Sequence, residues 1–128
     1  MSKTPNQGSS IYPDMLHKFE AYSRKMSSAQ PEVTKAFWEL HKATVNAGVL
    51  ETKTKELMAL AISVVSRCEG CIAHHVCDAL KAGASTEEIE ETLNVAVLMG
   101  GGVSVVYATH AMEAVEQFLE QDADQCSA

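Results

Sequence analysis

The chain has 128 residues, 46% of them hydrophobic and 21% charged, which suits one compact domain with a single core. Its net charge of −7 excludes a generic nucleic-acid binder and a polybasic membrane-surface protein. No apolar run reaches the ~18 residues of a membrane span, and the polar start "MSKTPNQGSS" lacks a secretion signal's apolar stretch, so a cytoplasmic protein is expected.

Strand-like alternation, Asn-Gly or Asp-Gly hairpin turns and internal repeats are all missing from the sequence. The pattern predicts an all-α chain of about six helices, punctuated by Gly, Pro and Ser/Thr. Residues 1–12 read as a disordered polar segment. A first helix is expected from Pro13 to about Met26. Pro31 opens a second, which ends at Gly48. A third follows Thr52 and runs to about Ser66. Gly83 stops a fourth. "STEE" (Ser85 to Glu88) is a capping box that opens a fifth, ending at Gly100 to Gly102. The sixth runs from about Val103 to Leu119. One helical domain over 13–122 results, with a disordered tail at 123–128 in which Cys126 has no assigned role.

The third helix is apolar all round from Leu57 to Val65. Such a helix is buried on every side. In a chain this short, part of that burial is expected from other subunits. A monomer wrapped around one central helix is the plainer alternative.

The chemistry concentrates in "CEGCIAHH" (Cys68 to His75). "SRCE" (Ser66 to Glu69) reads as a second capping box, making Ser66 the N-cap of the fourth helix. Cys68 then lies in the first turn, where free N–H groups and the positive end of the helix dipole favour a thiolate. At about 100° per residue, Cys68, Cys71 and His75 fall on one stripe, within about 60° of each other. Ile72, Ala79 and Ala82 lie near it, so this face turns inward. Arg67, His74, Asp78 and Lys81 share a polar stripe, and His74 is expected to face water. Cys77 points nearly opposite to Cys68 and reads as a small buried residue.

Cys71 and His75 are four apart, the spacing at which helix side chains meet. Cys68 and Cys71 are one turn apart, within reach of a disulfide. If the third and fourth helices form an antiparallel hairpin turning near Ser66, Glu56 and His75 stand at the same height. Glu56 is also the last charge before the apolar run. A carboxylate there can fix the imidazole tautomer, as base plus orienter. The plainer alternatives are a core histidine at 75 and, at Glu56, an acid attracted by the helix dipole. His110 shares a face with Tyr107 and Ala114; it can approach the site from the sixth helix, but it reads first as a core or interface histidine.

Zinc is the main chemical rival, with Cys68, Cys71, His75 and Glu56 as four ligands. Against it, three of those would share one helix stripe, and no second Cys/His pair follows downstream. Haem attachment requires Cys-x-x-Cys-His, and residue 72 is Ile. Four cysteines in a reducing compartment do not make a structural framework.

Glu56, eleven intervening residues, Cys68-x-x-Cys71 and then His75 together resemble the signature of the alkylhydroperoxidase D-like branch of the carboxymuconolactone decarboxylase family. "KELMALAISVVSRCEGCIAHHVCDALKAGASTEEIEETLNVAVLMGG" is similar to that family's core throughout. The resemblance implies an all-helical domain assembling as trimers or hexamers. It also implies peroxidase or disulfide-reductase activity without metal, flavin or other cofactor. Carried over by position, Cys71 is the peroxide-attacking thiol, Cys68 its resolving partner, and His75 with Glu56 the proton relay. The expected partners are a small hydroperoxide and a dithiol electron donor. Gly70 stands where well-known members carry a histidine. The decarboxylase branch lacks the paired cysteines. A thiol-disulfide adaptor that feeds a separate peroxidase uses the same four residues, and a helical assembly with incidental thiols uses none of them.

Overall fold

The computed structural model describes residues 10–121, which form six helices and, among those residues, no strand. The helices are α1 (Ile11–Ala29), α2 (Pro31–Val45), α3 (Thr52–Val65), α4 (Glu69–Lys81), α5 (Thr86–Gly100) and α6 (Gly102–Glu120). The all-α expectation and its count of about six helices hold. The expectations for residues 1–9 and 122–128, Cys126 among them, lie outside the described residues.

The punctuation is physical. At the end of α4 the chain turns through Gly83 at φ 96°, with Gly83 N–H bonded to Leu80 O at 3.0 Å and Ala84 N–H to Ala79 O at 2.9 Å. That pair of bonds satisfies the last carbonyls and needs a left-handed residue, hence glycine. Ser85 then caps α5 reciprocally with Glu88, through Glu88 N–H to Ser85 Oγ at 3.0 Å and Ser85 N–H to Glu88 Oε1 at 2.9 Å. The first helix starts at Ile11 rather than Pro13. Tyr12 is buried, and its N–H donates to Gln117 Oε1 of α6 at 2.9 Å, which ties down that start.

α3 and α4 form an antiparallel hairpin at the centre, packed on α5 and α6, with α1 laid across α4 and α6. Leu60, Val64, Ile72, Val76, Cys77, Ile89 and Ala114 are fully buried between them. Spacings of three and four within α3, α4 and α5 put those residues on the facing stripes. α2 is peripheral and buries no residue, leaving Val33, Phe37 and Leu40 exposed.

Within one chain α3 is not wrapped on every side, so the monomer built around one central helix is not what forms. Glu56, Leu60, Ser63 and Val64 are buried, but Met58, Ile62 and Val65 are exposed. Only α4, α5, α6 and the edge of α2 cover it, and they reach one side.

Gly100 marks a close approach of α5 to α6. A Cβ there would lie 2.9 Å from Ser104 Cβ and 3.3 Å from a Val65 methyl, closer than real Cβ atoms settle without movement. Gly70, inside α4, has open space where its Cβ would stand. Gly100→Ala is therefore expected to lose about 1–3 kcal/mol through overpacking, while Gly70→Ala gains about 0.5–1 kcal/mol from reduced unfolded-state freedom. Urea denaturation of the two variants checks both signs.

Candidate active site

The hairpin turn decides where the cysteines stand. Cys68 N–H donates to Ser63 O and Arg67 N–H to Val64 O, both at 3.1 Å, with Arg67 at φ 58°. These are the two bonds of a Schellman stop for α3. Ser66 closes the C-terminus of α3 and is not the N-cap of α4, so the expected Ser66–Glu69 capping box does not form. The cause is local: the Ile62 carbonyl holds the Ser66 N–H at 2.8 Å, the donor that the Glu69 side chain would need, and Ser66 stays helical at φ −79° and ψ −5°. The left-handed Arg67 then makes Cys68 the first extended residue, at φ −108° and ψ 97°.

Cys68 is thus itself the N-cap, one position before the first turn. Its Sγ accepts from Cys71 N–H at 3.2 Å. The two sulfurs are joined in a disulfide, with Cα atoms 5.2 Å apart. Cys71 lies within the first turn of α4, near the positive end of the helix dipole.

Glu56 is 2% exposed, and its Oε2 lies 3.0 Å from His75 Nδ1. The helical hairpin brings them level, as the count from the turn predicts. A carboxylate bonded to Nδ1 assigns the proton there and leaves Nε2 as the basic nitrogen. His75 is one turn beyond Cys71 on α4. The structure therefore assembles Glu56 with His75 and Cys68 with Cys71 on one hairpin.

His74 corrects the sequence reading. It does not face water but lies largely buried between α1 and α2. Its ring is 5.4 Å from His41, 6.2 Å from Trp38, 6.2 Å from Phe19 and 4.9 Å from His75. Of the stripe expected to be polar, Arg67 and Lys81 are exposed, while His74 turns to Phe19 of α1 and to Trp38 and His41 of α2. Burial opposes protonation of His74, but the Asp78 carboxylate, reinforced by Glu56 and Glu20, outweighs burial and raises its pKa. Burial and then the neighbouring His74 lower the pKa of His41. His41 was not singled out in the sequence, because only tertiary packing brings α2 beside α4.

A second network was also missed. Glu69, released from the capping role, accepts from Tyr12 O–H at 2.9 Å and bonds His110 Nδ1. Burial, then the Glu69 contact, raises the Tyr12 pKa. His110 is half-buried rather than a core residue, and it reaches the start of α4 beside the disulfide from α6, the alternative that the sequence left open. Cys77 is fully buried, as expected.

Residues 31–114, which carry Glu56, Cys68, Cys71 and His75, match the carboxymuconolactone decarboxylase family. Uncharacterised protein 4 in the cox locus of Paracoccus denitrificans is 33% identical over 102 residues, 80% of this chain and 92% of its own. An uncharacterised protein of Cupriavidus necator is 36% identical over 68% of this chain and 77% of its own. The crystal structure of lpg0406, a protein of this family from Legionella pneumophila, superposes with a TM-score of 0.83 at 38% identity, covering 85% of this chain and 97% of that one. The Thermotoga maritima family protein TM1620, described as "possibly involved in antioxidative response", gives 0.77 at 32% identity over 89% of this chain and 97% of its own. The chain belongs to the carboxymuconolactone decarboxylase family, and its paired cysteines with Glu56 and His75 match the alkylhydroperoxidase D-like branch.

Proposed function

We propose that the protein is a thiol-dependent peroxidase of the alkylhydroperoxidase type. The observation that carries this reading is the Glu56–His75 contact at 3.0 Å on the same hairpin as the Cys68–Cys71 disulfide. In the reduced protein His75 Nε2 takes the Cys71 proton. The thiolate attacks the distal oxygen of a hydroperoxide; the O–O bond breaks, and the alkoxide leaves as alcohol with the proton held by His75. Cys71 is then a sulfenic acid. Cys68 displaces its hydroxyl as water and forms the disulfide. A dithiol donor reduces that disulfide by exchange, entering at Cys68, and departs as its own disulfide. Each turnover consumes one hydroperoxide and one dithiol. The antioxidative description of the Thermotoga maritima neighbour points the same way.

Stopped-flow peroxide consumption by the reduced protein, with a dithiol donor in excess, tests this reading. Rapid consumption supports it. Fast disulfide exchange with feeble direct consumption would instead select the adaptor function.

Glu56 acts through His75 and is a positioning residue. Glu56→Gln keeps the side-chain volume and removes the carboxylate that selects the tautomer. It is expected to lower kcat/KM by about 10²-fold, the lower end of general-base contributions. The ¹⁵N shifts of the His75 ring should show the tautomer preference relaxing, a change that a purely structural role would not produce. Activity equal to the parent would remove Glu56 from the relay.

A homo-oligomer, a trimer or hexamer as the family resemblance implies, is part of the same proposal. Its support is the exposed apolar surface of α3, α5 and α6, including Ile62, Val95, Leu98, Met99 and Val106. A monomer mass by light scattering at micromolar concentration would oppose it. No described helix is long and apolar enough to cross a membrane. A cytoplasmic, reducing setting is proposed because the cycle requires a supply of dithiol.

A further inference from the structure

His41 of α2 and His74 of α4 line a cavity of about 680 Å³ between α1 and α2, and Asp78 of α4 stands beside them. One ligand-capable atom from each of the three lies within 4.8 Å of the other two. His74 and Asp78 are one turn apart on α4, and His74 Nε2 is 3.1 Å from Asp78 Oδ2. Donor atoms around a tetrahedral zinc lie about 3.3 Å apart when bonds are about 2.0–2.1 Å. The α4 pair already has that separation, so only His41 must close in, by side-chain rotation.

One buried atom at this place is without any partner. His41 Nε2 is shielded from solvent with no hydrogen-bond partner among the described residues, whereas His74 Nε2, equally shielded, has the Asp78 carboxylate at 3.1 Å. Buried imidazole nitrogens left unpaired are costly and ask for a ligand. A neighbouring trio, Glu56, His75 and Asp78, also has its donor atoms within 4.8 Å. Glu56 and His75 satisfy each other there at 3.0 Å, so the unmet demand belongs to His41.

We propose that His41, His74 and Asp78 form a binding site for a divalent first-row transition-metal ion of the zinc or iron class. Two imidazoles and one carboxylate are the donors such ions favour over magnesium or calcium. Three protein ligands leave at least one coordination position open, and the cavity gives it room. Trp38 and Phe19 supply apolar walls, while Arg24 and Lys42 line the same cavity and offer charge to an anionic oxygen ligand. This set differs from the thiol-containing zinc site considered in the sequence, and it does not depend on the redox cycle.

The test uses the untagged, full-length protein in its disulfide form, so that Cys68 and Cys71 cannot ligate. Cobalt(II) titration followed by visible absorption, and zinc(II) competition against a chromophoric chelator, are the measurements. Saturable binding at one ion per chain is expected, with ligand-field bands of a low-coordinate site. His41→Ala, on a helix that buries no residue, and Asp78→Asn should each weaken binding by about 10-fold or more. His75→Gln should leave it within about twofold. No saturable cobalt spectrum in the parent would overturn the assignment. So would undiminished binding by His41→Ala with unchanged circular dichroism, or a loss of binding confined to His75→Gln.

Discussion

Cys71→Ser is expected to reduce peroxide turnover to the uncatalysed background, a loss of about 10³-fold or more, as for removal of other catalytic nucleophiles. Serine keeps the shape and hydrogen-bonding capacity of the side chain. Its hydroxyl stays protonated at neutral pH, so no anion is available to attack the O–O bond. Cys71 holds the favoured position for that anion, within the first turn of α4 and one turn before His75. The variant should fold, because a bridge between residues three apart closes a short loop and constrains the unfolded chain weakly. Cys68→Ser should behave differently. It permits one attack and then leaves a sulfenic acid that has no resolving thiol. A burst of one peroxide per chain, followed by overoxidation seen by mass spectrometry, is its signature. If Cys71→Ser turns over peroxide as the parent does, Cys71 is not the nucleophile.

His75→Gln is the second large effect. Glutamine can still donate to Glu56, so the buried carboxylate is not stranded, but it cannot accept a proton at neutral pH. Loss of a general base is expected to cost about 10²–10⁴-fold in kcat/KM. Alkylation of the reduced protein by iodoacetamide near neutral pH should slow in parallel, because less Cys71 is thiolate. His75→Ala would be a poorer test. It leaves Glu56, 2% exposed, without its partner, and breaking a buried pair in this way destabilises by about 3–5 kcal/mol. A slow His75→Ala enzyme does not separate misfolding from loss of the base, whereas a slow but fully folded His75→Gln enzyme has lost its base. Unchanged alkylation and turnover in His75→Gln would remove the imidazole from the mechanism.

The parts of this molecule that were readable in its sequence are those governed by short-range rules. The Ser85–Glu88 box depends on four consecutive residues and one bond each way. The meeting of Glu56 with His75 follows from counting outward from a turn, since both helices rise equally per residue. The errors share one origin, competition between neighbouring elements. Ser66 satisfies the capping pattern, but α3 already holds the Ser66 N–H that the box requires, and the α3 stop prevails. His74 sits on a charged stripe that would be solvated if α4 were a surface helix. Burial between α1 and α2 follows only from the packing of those helices, which no spacing within α4 encodes. His41, Tyr12 and His110 come from elements far along the chain, so their meetings with α4 residues left no local pattern. The i, i+4 pair of His74 and Asp78 was the one local signal, and it is also the pattern of an ordinary exposed pair.

The link between α3 and α4 is three residues long and held at both ends by backbone hydrogen bonds. Base, orienter and both sulfurs therefore sit on what is mechanically one piece. Opening and closing the sulfur–sulfur bond then calls for adjustments at two side chains, with no hinge, lid or sliding helix in between. A catalyst built this way resets at the pace of thiol exchange with its reductant. Its turnover should follow the supply of electrons more closely than the viscosity of the surrounding medium.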